Sequence, residues 1–265
     1  KWILVTCFGY TGYRNARFGR IECHEAICAW SREILLTTIE EANKEGWDCI
    51  HAIVDAIWIK DRKNRSGEEK RDSYQRLMVR IEALVGIPLE LEHEYDWIAF
   101  IPNRTTGVGA LTKYYAKIGE EWKVRGIELR QHSTCEWIRQ LQEDMMEDLA
   151  NDPFGIGPKI AAQRVEDEIS RMKRGEVPLS QLIVGRRVRY ETGNHRVMNL
   201  TAAALLRARA LEQITPPGRK VRFAVTGWKR EQPTDRVRLQ SEIDSGTNSI
   251  SGQKGDAEFY TPLAV

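Results

Sequence analysis

The chain has 265 residues, with 40 lysines and arginines against 38 aspartates and glutamates, so the formal charge is only +2. At 42% hydrophobic and 29% charged it has a globular composition, which excludes a disordered tail, and its length admits one large or two modest cores. Its most apolar runs, Cys49–Ile59 and Ala202–Leu211, are broken by His51, Asp55, Arg207 and Arg209. They fall short of the roughly 18 apolar residues that a membrane span needs, so no membrane partner is expected.

In chain order, residues 15–45 carry Phe18, Ile21, Ile27, Trp30, Ile34, Leu35 and Ile39 between charges, the spacing of a half-buried helix, and Gly46 supplies its stop. Residues 48–60 are β-branched and aromatic with a polar break at Val54-Asp55-Ala56, which predicts two short strands meeting at a turn. A charged loop over 61–71 precedes a second amphipathic helix over 73–85, ended by Gly86 and Pro88. Residues 89–102 read as further strand, and strand-like pieces recur around Tyr114-Tyr115 and Trp122–Ile127. Helices over a sheet make this half α+β. Beyond it, 136–149, 159–174 and 199–211 have helical spacing, the first two separated by a turn-forming stretch from Asn151 to Pro158. A domain boundary is placed near residue 130, and the Ser/Gly-rich stretch 241–255 reads as a loop.

Charge is distributed unevenly along this order. Residues 171–230 hold fourteen basic side chains against Glu176, Glu191 and Glu212, a net +11, whereas the other 205 residues net −9. A basic block with so few interleaved acids leaves i,i+4 pairing unable to neutralise it and points to a polyanionic partner. The five cysteines are odd in number and form no CxxC pair, which suits a reducing cytoplasm. No secretory leader is visible, and a chain opening on Lys1 inside an apolar segment is expected to be a piece of a longer protein.

Several blocks together resemble the family B DNA polymerases. The opening Lys1-Trp2-Ile3-Leu4-Val5-Thr6-Cys7-Phe8-Gly9 is similar to that family's lysine followed by Asn-Ser-x-Tyr-Gly, with Val5-Thr6 in place of Asn-Ser and Phe8 in place of the tyrosine. The segment Ile27–Leu35 is similar to a helix written Thr-Ala-x-Gly-Arg-x-x-Leu, and Ile50–Trp58 falls where the family has Tyr-Gly-Asp-Thr-Asp-Ser in a palm hairpin. Lys113-Tyr114-Tyr115 and Val124-Arg125-Gly126-Ile127-Glu128 resemble elements that grip primer–template DNA. Val177–Leu182 with the basic block resembles the thumb, and Glu258-Phe259-Tyr260 its closing segment. The altered motifs resemble most the divergent archaeal branch.

The resemblance implies an α+β C-terminal half of a palm at 1–130, then a mainly helical thumb at 131–265. It implies template-directed attack of a primer 3′-hydroxyl on a dNTP, with two Mg2+ ions in the intact enzyme, in a cytoplasmic, nucleoid-associated setting. Lys1, Phe8 and Gly9 become nucleotide-binding candidates. Lys113, Tyr115, Arg125, Arg186, Arg187 and Arg189 become DNA-binding candidates. Asp55 becomes the catalytic metal ligand, or else a turn residue in a decayed site. Two-metal phosphoryl transfer needs several carboxylates on both ions. By the resemblance the other metal-binding carboxylate comes from a motif upstream of Lys1, so an upstream segment or a separate chain is expected to supply it, and Ile53 stands where the family has the hairpin's first aspartate. The rival function is a non-catalytic paralogue or polymerase subunit that clamps duplex DNA through its phosphates.

Other motifs carry less. Cys23, His24 and Cys28 lie on one predicted helix with no second pair, as ordinary packing does, and Gly155–Lys159 lacks the GxxxxGK spacing of a P-loop.

Overall fold

The first helices are shaped by what ends them. Helix α1 (Trp2–Thr11) is apolar along its length yet buries no residue. Helix α2 (Ile21–Glu45) stops at Gly46, whose φ of 88° is left-handed and whose N–H reaches the Ala42 and Asn43 carbonyls. The left-handed backbone is what favours glycine there, since the nearest atom a Cβ would meet is the movable end of the Lys63 side chain. The chain turns directly into β1 (Trp47–Ile53), which pairs antiparallel with β2 (Ala56–Asp61). Helix α3 (Gly67–Val85) begins where the Glu69 carboxylate accepts hydrogen bonds from the Ser66 N–H and hydroxyl.

This computed structural model describes residues 2–103, 105–189, 198–246 and 252–264. The chain divides into two compact units, 1–112 and 113–265. The core of the first is small: Ala42, Trp47, Leu77 and Ile81 pack together, and the buried Trp47 indole N–H donates to Ser73 Oγ at 3.2 Å. Glu41, also buried, is compensated by Lys44 and Arg80, each at 2.6 Å. Strands β3 (Trp97–Pro102) and β4 (Gly109–Ile118) are neighbours in a second sheet.

In the second unit, the later part of β4 pairs antiparallel with β5 (Glu121–Arg125). Helices α4 (Glu136–Asn151) and α5 (Gly157–Arg174) pack as a hairpin. Trp137 near the start of α4 donates to Glu168 on α5 at 2.9 Å, and Arg164 grips Asp148 through two bonds of 2.6 and 3.0 Å. Those bonds hold the Asp148 carboxyl below its ordinary pKa. A three-stranded antiparallel sheet follows, in the order β6 (Val184–Arg187), β7 (Lys220–Val225), β8 (Val237–Leu239). Helix α6 (Leu200–Ala210) covers it with Ala203, Ala204, Leu205 and Ala208. The short helices α7 (Gln240–Ser245) and α8 (Ala257–Tyr260) complete the unit.

Two buried polar contacts lock these pieces. Arg207 on α6 makes a two-bond pair with Glu242 on α7 at 2.6 and 2.5 Å and donates to the Thr234 carbonyl at 2.8 Å. Burial pushes the Glu242 pKa up, and the hydrogen bonds from Arg207 and the Leu239 N–H more than offset it, leaving the carboxyl below its ordinary value. Tyr260 is fully buried, and its hydroxyl donates to the Leu182 carbonyl at 2.6 Å while accepting from the Val225 N–H at 2.8 Å. Burial pushes that phenol's pKa up, so it stays protonated and able to donate.

The α+β architecture is the one expected, and the predicted helices over 73–85, 136–149, 159–174 and 199–211 correspond to α3, α4, α5 and α6. Three differences are informative. Residues 12–20 form a bend rather than helix, so α2 begins at Ile21. Of 89–102 only Trp97–Pro102 is strand. The second unit contains a sheet where periodicity showed only helices, because β6 and β8 have four and three residues, too few to display a period of two. Among the described residues no helix is long and apolar enough to cross a membrane.

Replacing Tyr260 with Phe removes one oxygen and strands a buried N–H and a buried carbonyl. A loss of about 1–3 kcal/mol per unsatisfied group is expected in a urea melt. An unchanged midpoint would show that this hydroxyl holds nothing.

Candidate functional site

The β1–β2 hairpin closes through a two-residue turn, Val54-Asp55, between the paired residues Ile53 and Ala56. Val54 has φ 53°, a left-handed conformation that costs a β-branched residue roughly 1–2 kcal/mol. Its side chain is 77% exposed, so no packing compensates for the strain. Asp55 follows it, exposed, with no hydrogen bond or ion pair among the described residues. Below the turn a bulge at Ile50 shifts the register between Cys49 and His51. The His51 ring lies 4.8 Å from Trp58 and 4.5 Å from Phe100 on β3, with Nε2 2.9 Å from the Leu111 carbonyl on β4. Gly109 lets β4 lie close to β3, since a Cβ there would lie 2.9 Å from that of Phe100. The histidine therefore ties the hairpin to the neighbouring sheet.

Ile53 is half-buried beside the turn and offers no oxygen. Among the described residues no group of three or more His, Cys, Asp or Glu side chains that could hold a metal occurs. Asp48 and Asp61, at the hairpin's open end, are paired with Arg62 and Arg65. The donor set at the turn is thus one carboxylate, which does not fit two magnesium ions.

On α1, Phe8 stacks on His24 of α2 with ring centroids 4.3 Å apart, and the His24 Nδ1 lies 3.2 Å from both the Thr11 hydroxyl and the Phe8 carbonyl. Gly9 has nothing within 4 Å of where a Cβ would stand, so the surrounding fold does not require glycine there. Lys1 lies outside the described residues.

The DNA-side candidates all fall in the second unit. Lys113 and Tyr115 alternate on β4 and share a face, Lys113 exposed and Tyr115 half-buried, and burial pushes the Tyr115 phenol up. Arg125 sits opposite Tyr114, so it leaves the other face of the β4–β5 ladder and is not brought together with Lys113 and Tyr115. On β6, Arg187 is paired with Lys220 and Gly185 with Arg222, so these three cations project from one exposed face. Arg186, exposed, is paired with the buried Val221 and leaves the opposite side. Arg189 is exposed just past the strand. Lys220 and Arg222 belonged to the basic block but were not singled out; only the cross-strand register reveals that they stand with Arg187.

The comparisons with known proteins bear on this arrangement. No protein-family model matches the chain. A DNA polymerase of Archaeoglobus fulgidus is 26% identical over 273 residues, which cover 98% of this chain and 32% of that protein. A DNA polymerase 2 of Saccharolobus solfataricus is 32% identical over 127 residues, 48% of this chain and 18% of its own length. The chain is similar to archaeal DNA polymerases along nearly its whole length. Its fold agrees: the family B DNA polymerase of Pyrobaculum calidifontis superposes with a TM-score of 0.67 over 97% of this chain and 31% of that one, at 20% identity. The chain spans about a third of the length of the Archaeoglobus fulgidus and Pyrobaculum calidifontis polymerases.

In this hairpin the strained turn is the feature most open to test. Val54→Asn replaces a β-branched residue with one that tolerates a left-handed backbone, and should stabilise the chain by about 1 kcal/mol in a denaturant titration. A destabilised variant would mean that the turn carries no such strain.

Proposed function

We propose that this chain is the C-terminal palm and thumb portion of a family B DNA polymerase, with residues 1–130 serving in the palm and 131–265 as the thumb that grips primer–template DNA. The observation that carries the reading is the correspondence to archaeal polymerases along 98% of the chain, joined to an exposed cationic sheet face in the second unit. A phosphate-gripping role needs cations without internal carboxylate partners, and Arg187, Lys220 and Arg222 meet that requirement among the described residues. Lys113 and Tyr115 would lie along the same backbone. Phe8 and Gly9, with Lys1, would meet the sugar and triphosphate of an incoming dNTP, the open space at Gly9 admitting close approach. The work would be done on cytoplasmic, nucleoid-associated DNA.

Nucleotidyl transfer places a further demand. Asp55 is the one carboxylate at the hairpin turn, and magnesium in the intact enzyme would need additional oxygen ligands from outside this chain. That single carboxylate also favours the second reading, a polymerase subunit or paralogue that clamps duplex DNA without catalysis. Primer extension by the polymerase containing this segment, with magnesium or manganese, separates the two. If Asp55 holds metal, Asp55→Ala should abolish extension by more than the ~10–100-fold that even outer-shell partners of a metal contribute. Extension that survives the substitution removes Asp55 from the chemistry, and a wild-type protein that binds duplex but never extends it supports the clamp.

A further inference from the structure

The basic block of the second unit is not uniformly available to a partner. Arg171 pairs with Glu168 at 2.5 Å, Arg174 with Glu176 at 2.6 Å, Arg207 with Glu242 at 2.5 Å and Lys229 with Glu258 at 2.6 Å. Three of those acids lie outside the block, so the local charge count overstated the free cations.

The β6–β7 face is different. Lys220 stands directly opposite Arg187, and Arg222 opposite Gly185. Like charges facing each other across a ladder are destabilising, and no carboxylate pairs with any of the three among the described residues. Gly185 also leaves space, for a Cβ there would find only the Lys220 and Arg222 side chains and the His132 carbonyl, all at 3.8 to 4.0 Å.

The other side of β7 is open as well. Strand β8 pairs with Phe223, Ala224 and Val225 and stops at Leu239, so Lys220–Arg222 have β6 on one side and no strand on the other. That open edge floors a cleft of about 200 Å³, lined by Gln213, Thr215, Lys220, Arg222, Gln240 and Ser241 among others. Ser241 Oγ donates to Gln213 Oε1 at 2.9 Å, which fixes the amide and keeps its nitrogen as a donor. The volume is below the roughly 300–1,000 Å³ of a small-molecule pocket, and the cleft, open to solvent, has room for one phosphate group. Beside the apolar Ala208, Val221 and Leu239, two cations, the Thr215 hydroxyl and the Gln213 amide N–H line this open strand edge, the donor types that an anion takes.

We propose that the Lys220–Arg222 cleft seats a backbone phosphate of bound duplex DNA, with Arg187 contacting the same strand beside it. This rests on the reading of the second unit as DNA-binding and adds Lys220 and Arg222, which belong to the basic block but which no motif singled out. Because the contact is to phosphodiester, it is blind to base sequence.

The test is equilibrium binding of a fluorescent duplex to the chain across a salt series, for wild type, Lys220→Gln/Arg222→Gln, and the ion-paired control Arg171→Gln/Arg174→Gln. The cleft variant should flatten the slope of log K against log salt by about 2, close to one unit per phosphate-contacting cation, on duplexes of any sequence. The control should keep the wild-type slope. Salt-dependent wild-type binding with an unchanged cleft variant overturns the seat while leaving the DNA-binding reading intact. Wild-type binding that is absent or independent of salt overturns the DNA-binding reading itself. Circular dichroism melts that match wild type show that a lost slope is not lost folding, and Lys220→Gln alone, flattening the slope by about 1, gives the same answer with a milder change.

Discussion

One phenol oxygen fixes the frame on which the second unit's surface depends. Tyr260, from the end of the chain, donates to the Leu182 carbonyl just before β6 and accepts from the Val225 N–H at the end of β7. Asp256 strengthens the same attachment: its backbone N–H reaches the Val225 carbonyl at 2.9 Å and its carboxylate accepts from the Trp228 N–H at 2.8 Å. These bonds hold two neighbouring strands against a closing segment that shares no strand pairing with them. A one-residue slip between β6 and β7 would exchange the faces, turning Val221 and Phe223 outward and Lys220 and Arg222 into the core. Which cations meet solvent is therefore a consequence of register, and register is defended from within.

The first unit shows a different economy of constraint. Its core is a few residues around Trp47, and its hairpin ends in a turn that a β-branched residue occupies at a conformational cost. Such strain persists only where surroundings enforce it, and it clusters at functional positions. His51 fixes the strand just below the turn, held between two aromatic rings and a carbonyl. The turn thus presents Asp55 to solvent in a defined place, whether its work is to ligate a metal or only to shape the loop.

Sequence and structure agree where the physical signal is long. Helices α3 to α6 announce themselves by period and by their stops, and the β1–β2 hairpin by β-branched runs flanking Val54-Asp55. The sheet of the second unit was illegible because its strands are short and because Phe223, Ala224 and Val225 are all buried, which erases alternation. The functional surface was legible as an excess of charge but not as a site. Arg186 and Arg187 are adjacent in sequence and point to opposite faces, while Arg187 and Lys220 are 33 positions apart and meet across a ladder. The count of interleaved acids misled for a similar reason, since Glu168, Glu242 and Glu258 come from outside the window that was counted.

The account stands on the claim that duplex DNA lies against the sheet face of the second unit. Amide hydrogen exchange of the chain, with and without a primer–template duplex, locates that contact without any mutation. The expected result is added protection at β6, at Lys220–Arg222 and around Gln213–Thr215, with the α4–α5 hairpin unchanged. Protection confined to α4 and α5, or none in the second unit under conditions where the duplex is bound, would contradict it.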